Sequence, residues 1–346
     1  MRAAYIEELG PPEVIRYGEL ANPVPGPNDV LVNVTATTVN PVDTFVRSGL
    51  FRTPVNFPFV ISRDLVGTVV AAGPGAPGFA VGDAVWSNSL GHGGRQGAAA
   101  EQAVVAADRL YHLPAGIPPA EAVAVVHPAA TAYLALFPHG RLCAGETVLV
   151  AGAAGNVGSA LVVMAAEAGA RVIATANERD FEYCRSLGAA EVLDYRDPAL
   201  AAQVQQISPQ GVDLHVDTSG ENNLTRAVDL LAHRGRIVLL AGARTRPNLP
   251  AGPLYMKDGS IIGFVISHAT TAELAEAAGA INRLLTAGRL RARALQHLPL
   301  TAVAEVHRRL EQGELRGKRA VLYPGRSAPS SEATMPGPSW VSTDSG

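Results

Sequence analysis

Residues 147–177, TVLVAGAAGNVGSALVVMAAEAGARVIATAN, constrain what this chain can fold into more than any other stretch. An apolar run at 148–150 enters a glycine-rich turn, an alanine-rich segment follows, and a second apolar run at 172–174 closes the unit as strand, turn, helix, strand. Gly152, Gly155 and Gly158 give the spacing G-x-x-G-x-x-G. Glycines so placed allow a tight turn, a close approach of backbone amides to a pyrophosphate, and close helix packing. Ala154, Asn156 and Val157 lie between them, where amides would face phosphates at the positive end of the helix dipole. Three glycines also fit a bare loop, so the surrounding pattern has to decide.

That pattern favours a nucleotide-binding sheet. Further strand-like runs follow at 191–193, 212–216, 236–240 and 260–266, alternating with helical segments as a parallel, doubly wound Rossmann sheet requires. At 346 residues the chain exceeds one typical domain. Residues 1–122 are short β-branched runs broken by Pro and Gly, including VLVNVTATTV and VGTVVAAG, and read as a compact β-rich domain. From Pro118 the texture turns helical and leads into the Rossmann unit, 123–266. Two amphipathic helices and a short strand, RAVLY, then return to the first domain over 267–326, so the nucleotide-binding unit is an insertion and the crevice between domains is the candidate active site. The fold class is α/β. Residues 327–346, rich in Ser, Pro and Gly, read as a disordered tail.

With 47% hydrophobic and 17% charged residues there is ample material for two cores. A net charge of −3 argues against a nucleic-acid partner. The start, MRAAYIEELGPPEV, lacks a signal-peptide pattern and no stretch reads as a membrane span, so a cytoplasmic protein with no membrane partner is expected. Cys143 and Cys184 have no metal spacing and read as free thiols.

The segments VNPVDTFVRSGLF (39–51), DLVGTVVAAG with FAVGDAVW (64–86), HPAATAYLAL (127–136), VLVAGAAGNVGSALV (148–162) and RGKRAVL (316–322) occur in one order. In that order they resemble the medium-chain dehydrogenase/reductase superfamily, and within it the zinc-independent quinone oxidoreductase branch that includes zeta-crystallin. The resemblance implies a GroES-like catalytic domain, a Rossmann insertion, a homodimer, and hydride transfer from a nicotinamide cofactor. Zinc-using relatives have a Cys and a His-Glu pair where this chain has Asn40-Pro41-Val42-Asp43 and Arg63-Asp64, and it lacks the four clustered cysteines of the lobe zinc. The expected metal complement is none.

Without a metal, the resemblance implies reduction of a quinone or an α,β-unsaturated carbonyl, acceptors that spread the incoming charge onto a conjugated oxygen. Asn40 matches a family position facing the nicotinamide, where its amide would donate to that oxygen; the alternative is an Asn that caps the following turn. Asp43 reads as structural. Phe45 stands where relatives often carry Tyr, which leaves proton supply open, and Arg47 is either a site residue or a surface arginine. Thr131 matches a position beside the nicotinamide, against the alternative of bonding its own helix. His127 is a lesser candidate acid.

For the cofactor, the second Rossmann strand ends Ala174-Thr175-Ala176-Asn177 without the acid that usually grips ribose hydroxyls, which favours NADPH over NADH. Asp180 occupies the position of a family lysine, with Arg179 beside it as a substitute cation for a phosphate. Asp180 and Glu178 would repel that phosphate unless turned outward. Tyr195 and Lys318 match family positions near the cofactor. Ser219, Gly220, Ala241, Gly242 and Phe264 end the later strands on the same side. Two other readings stay open: an enoyl-thioester or enone reductase of a dedicated pathway, and a nucleotide-binding protein with vestigial redox activity.

Overall fold

The computed structural model describes residues 1–325, and the tail assigned to 327–346 lies outside them. The first domain is built on a seven-stranded sheet around the long strand Asp29–Thr38, which pairs antiparallel with Leu65–Ala72 on one side and Arg319–Tyr323 on the other. Val30, Val32 and Ala36 are buried on it while alternate residues face outward, the period of a sheet covered on one face. A small sheet of Arg2–Ile6, Arg16–Glu19 and Phe59–Val60 closes one end. The long strand passes into helix α1 (Pro41–Ser48), with Asn40 at its N-cap position. The Asp43 carboxylate accepts the Asn40 N–H at 2.7 Å, a local bond that fixes where the strand stops and the helix starts.

Helix α2 (Pro119–Leu134) runs on through a wider turn at Ala135–His139. Contrary to the sequence expectation, the combined helix is long and apolar enough to cross a membrane, yet 78% of its most apolar window is buried inside the protein. It packs on α3 (Asn156–Glu167), on α4 (Thr271–Thr286) and on strands of the first domain. The expected boundary at 122/123 thus falls inside a helix that serves both domains.

The second domain is a six-stranded parallel sheet of β1 (Thr147–Ala151), β2 (Arg171–Ala176), β3 (Glu191–Asp194), β4 (Val212–Asp217), β5 (Leu231–Leu239) and β6 (Ser260–Gly263). Its order is β3-β2-β1-β4-β5-β6, so the chain reverses direction between β1 and β4 and leaves a crevice at their carboxyl ends. Val148, Val150, Val172, Ala174, Leu214 and Val216 are fully buried, as strands covered on both faces demand.

Two features differ from the sequence expectation. Strand β6 stops at Gly263, and Ile266 lies in a short helical turn. Helix α4 shares its buried core with α2 and β1 and also holds the first domain, its Asn282 accepting from Trp86 Nε1 and donating to the His112 carbonyl, both at 3.0 Å. A further strand, Leu295–Pro299, pairs parallel with Arg319–Tyr323. Its sequence, LQHLP, carries Gln, His and Pro and no β-branched residue, and it is a strand because a partner is there to pair with it.

Candidate active site

The nucleotide cradle forms at the turn from β1 to α3. Gly152 has φ +80°, and a Cβ there would lie 2.5 Å from the Thr218 hydroxyl. A Cβ on Gly158 would lie 2.1 Å from the Gly152 carbonyl oxygen. Such a turn accepts no side chain, and the bare-loop reading fails. Gly155 is the N-cap of α3 and supplies no side-chain cap, leaving the first amides of a 12-residue helix, Asn156 and Val157 among them, without intrahelical partners. Ala154 packs part-buried against the core beneath.

Across the crevice, the Asp217 carboxylate accepts from the Ser219 N–H and hydroxyl at 2.7 Å, the Gly220 N–H at 3.2 Å and the Asn222 N–H at 3.0 Å. This pins the loop after β4. Gly220 and Gly242 have φ +79° and +80°, and a Cβ on Gly242 would meet the Gly220 carbonyl oxygen at 2.6 Å. The Asn222 amide donates to the Ala241 carbonyl at 3.1 Å, tying the loops after β4 and β5 together. Phe264 stacks on His139 with centroids 4.4 Å apart. Gly152, Ser219, Gly220, Ala241, Gly242 and Phe264 therefore all follow the carboxyl ends of the strands, where open parallel sheets bind ligands.

At the end of β2, the Asn177 side chain accepts the Arg179 N–H at 3.2 Å. The Arg179 side chain is 79% exposed. Tyr195, half-exposed in the turn after β3, donates its N–H to the Ala176 carbonyl at 3.3 Å, with the Arg196 guanidinium 5.0 Å from its ring centroid. Asp180 is turned inward rather than outward: its carboxylate lies 2.7 Å from Arg293 Nη2 on the segment after α4. The acid is thus neutralised from within the protein, and Glu178 is the exposed one. Lys318 is exposed.

The catalytic-domain wall is a buried ionic cluster. The Asn40 amide is 1% exposed; its Nδ2 donates to Asp64 at 2.7 Å and its Oδ1 accepts from Arg319 at 3.0 Å. Asp64 also faces His127 Nδ1 at 3.1 Å, and Arg63 Nε lies 3.7 Å from Asp43. Burial pushes the Asp43 carboxyl up to about 6 despite the Arg63 guanidinium, which pulls it down. Burial likewise lowers Arg63 and Arg319, against the opposing pull of the two aspartates. Asn40 is therefore a positioning group at the junction of α1 and the cluster; the expectation of an open oxyanion donor is corrected by the engagement of its amide at both ends. Thr131, one turn after His127, donates its hydroxyl hydrogen to the His127 carbonyl at 3.0 Å and keeps only acceptor lone pairs for a ligand. Phe45 is part-buried on α1, and Arg47 is buried against Glu311 instead of lying at the surface.

Sequence reasoning named Arg63 and Asp64 only as departures from a metal pair and missed Arg319, Arg293, Arg196 and His139, the stacking partner of Phe264. One signal was present: a charged Arg-Asp pair inside the apolar run FPFVISRDLVGTVV. Among the described residues no group of three or more His, Cys, Asp and Glu could hold a metal ion. Where the zinc-using pattern needs ligands, this chain presents the Asn40 amide, the Arg63 guanidinium, a cation with no lone pair to offer, and the Asp64 carboxylate, which is taken by Asn40 and His127.

Comparison with known proteins agrees with this fold. Residues 26–115 match the alcohol dehydrogenase GroES-like domain and residues 156–283 the zinc-binding dehydrogenase family. Human quinone oxidoreductase is 32% identical over 316 residues, covering 90% of this chain and 94% of its own. The crystal structure of an NAD-dependent alcohol dehydrogenase superposes with a TM-score of 0.84 at 32% identity, over 94% of this chain and 100% of that one. A mycobacterial protein complexed with NADPH gives 0.79 at 28% identity, over 94% of this chain and 100% of that one. The chain thus belongs to the quinone oxidoreductase family of the medium-chain dehydrogenase/reductase superfamily and is an oxidoreductase of that kind.

Proposed function

We propose that this protein transfers hydride from NADPH to a quinone or an α,β-unsaturated carbonyl without a catalytic metal. The observation that carries the reading is that Asn40 and Arg63-Asp64 stand where zinc-using relatives have ligands, with the Asn40 amide bonded at both ends by Asp64 and Arg319. Such a wall orients but offers no Lewis acid, which suits acceptors whose own conjugation carries the developing charge.

The residues present fit a dinucleotide. The uncapped amides at Asn156 and Val157 suit the pyrophosphate, and the glycine pairs Gly152/Gly158 and Gly220/Gly242 leave room for close approach. Arg179 and Tyr195 are exposed at the β2 terminus, where the buried Asp180 is held by Arg293 at 2.7 Å and faces Arg179 only at 3.8 Å, an arrangement that suits a 2′-phosphate. Thr131 can accept from a carboxamide, and Lys318 adds charge at the mouth. The bound cofactor supplies the hydride. Asp64 and Arg319 hold Asn40 and His127 in place, and Phe45 keeps the α1 side apolar, so the final proton comes from solvent or from His127.

Absorbance of NADPH and NADH followed with a panel of quinones and enones, with and without chelator, tests this. Chelator-insensitive NADPH oxidation is expected. NADH preference overturns the assignment of Arg179 and Tyr195, and loss of activity with chelator overturns the metal-free reading.

We further propose a cytoplasmic homodimer with no nucleic-acid or membrane partner. Strand β6 ends the parallel sheet, and Tyr255 and Met256, 69% and 71% exposed, precede it. A free edge beside large exposed apolar side chains suits pairing with a second copy. Light scattering is expected to give twice the chain mass, and the double variant Tyr255→Glu, Met256→Glu to give a monomer.

A further inference from the structure

Beside the buried ionic cluster lies a group of cations that hydride transfer to a neutral quinone does not use. Arg63 is 2% exposed, and its Nε and Nη2 have no hydrogen-bond partner within the protein; its nearest counter-ion oxygen is the 3.7 Å approach to Asp43. The neighbouring loop, SNSLGHGGRQG at 87–97, runs alongside this segment, since the Leu90 N–H donates to the Arg63 carbonyl at 3.2 Å. On that loop Arg95 reaches His92 Nδ1 at 3.1 Å and is fixed by the Ser89 carbonyl at 3.1 Å and 3.2 Å. A neutral His92 accepting there presents its Nε2–H outward as a donor. Phe51 lies between His92 and His268, with centroids 5.7 Å and 5.8 Å away, so the group spans the two domains. Burial, followed by the positive charges of Arg63, Arg95, His268 and Arg109, drives the His92 imidazole down to about 4. Ser62, Ser87 and Ser89 each keep a buried hydroxyl without a partner beside the same segment.

We infer that this cleft takes a hydride acceptor bearing an anionic group, such as a carboxylate or phosphate, which the Arg63–His92–Arg95 cluster holds while the conjugated carbons face the nicotinamide side. The position follows from connectivity. Arg63 adjoins Asp64, which bonds Asn40 and His127, and Thr131 is one turn beyond. Buried or half-buried guanidinium groups with free N–H bonds are matched to planar oxyanions. The inference rests on the hydride-transfer reading above. In the reaction the acceptor's carbon–carbon double bond gains a hydride and a proton and becomes single, and the reduced cofactor is oxidised.

The test compares benzoylacrylate with its methyl ester as acceptors, and saturated benzoylpropionate with its methyl ester as ligands. The carboxylate acceptor is expected to have about tenfold higher kcat/KM than the ester, falling toward it as salt rises. Benzoylpropionate is expected to bind about tenfold more tightly than its ester, and Arg95→Gln to shrink both ratios. Equal turnover and equal binding of acid and ester overturn the inference and leave the hydride-transfer reading intact. If neither acceptor oxidises NADPH but the saturated acid still binds in preference to its ester, the anion site stands and the hydride-transfer reading falls.

Discussion

Arg319 and Asp64 are buried charges joined through Asn40, and Arg319 has Asp64 as its carboxylate partner at 4.0 Å. Removing one partner of such a group leaves the other uncompensated in low dielectric, which costs about 3 kcal/mol or more. Arg319→Met is therefore expected to lower stability to urea by about that much, while Lys318→Met, one residue away and exposed, changes it little. Equal midpoints for the two variants would sink the argument. The Arg63-Asp64 pair was visible in the sequence as charge inside an apolar run, whereas Arg319 was not, because it meets Asn40 across 279 positions. Nothing local marks a pairing made by tertiary folding.

The strand–turn–helix unit of β1, α3 and β2 was legible because its signals are local: apolar runs, glycine spacing and an alanine-rich helix. The glycine roles are not equal. Gly155 has more room than Gly158, where a Cβ would sit against the Gly152 carbonyl and the Ala153 backbone at 2.1 Å and 2.8 Å. Backbone cannot step aside as a side chain can. Gly158→Ala is expected to push α3 away from β1, abolish NADPH binding measured by fluorescence, and lower the thermal midpoint; Gly155→Ala is expected to do less on both readouts. Leu295–Pro299 shows the opposite case, a strand whose own residues give no strand signal and whose existence is decided by its neighbour.

Over the whole molecule, buried titratable groups set how stability follows pH. Burial lowers His215 to about 4 and His307 to about 3 from an ordinary 6.5, so the unfolded chain takes up these protons first as pH falls below 6.5. Stability from these two groups is present at neutral pH and is lost on acidification. Asp43 acts in the opposite sense: raised to about 6 from 3.8, it is protonated first in the folded chain, and so adds stability as pH falls through that interval. With His92, also lowered to about 4, three imidazoles outweigh one carboxyl, and the fall from pH 6.5 to 6 is unopposed by it. The thermal midpoint is expected to drop between pH 7 and 5, and His307→Leu to weaken that drop by about one proton of uptake. His307 suits the test because its ring is fully buried with neither nitrogen bonded. An unchanged pH slope in the variant would refute the assignment.

The strand Arg319–Tyr323 joins the first domain's sheet beside Asp29–Thr38, although almost the whole chain separates them. During synthesis the amino-terminal sheet emerges early, with Thr37 and Thr38 unpaired on that edge and Asp64 lacking its cation. The inserted domain already has every strand of its own sheet by Gly263 and can fold first. On the ribosome, then, the domain that starts the chain finishes last, and a nascent chain arrested before Arg319 would bind nucleotide while presenting an open, aggregation-prone strand edge.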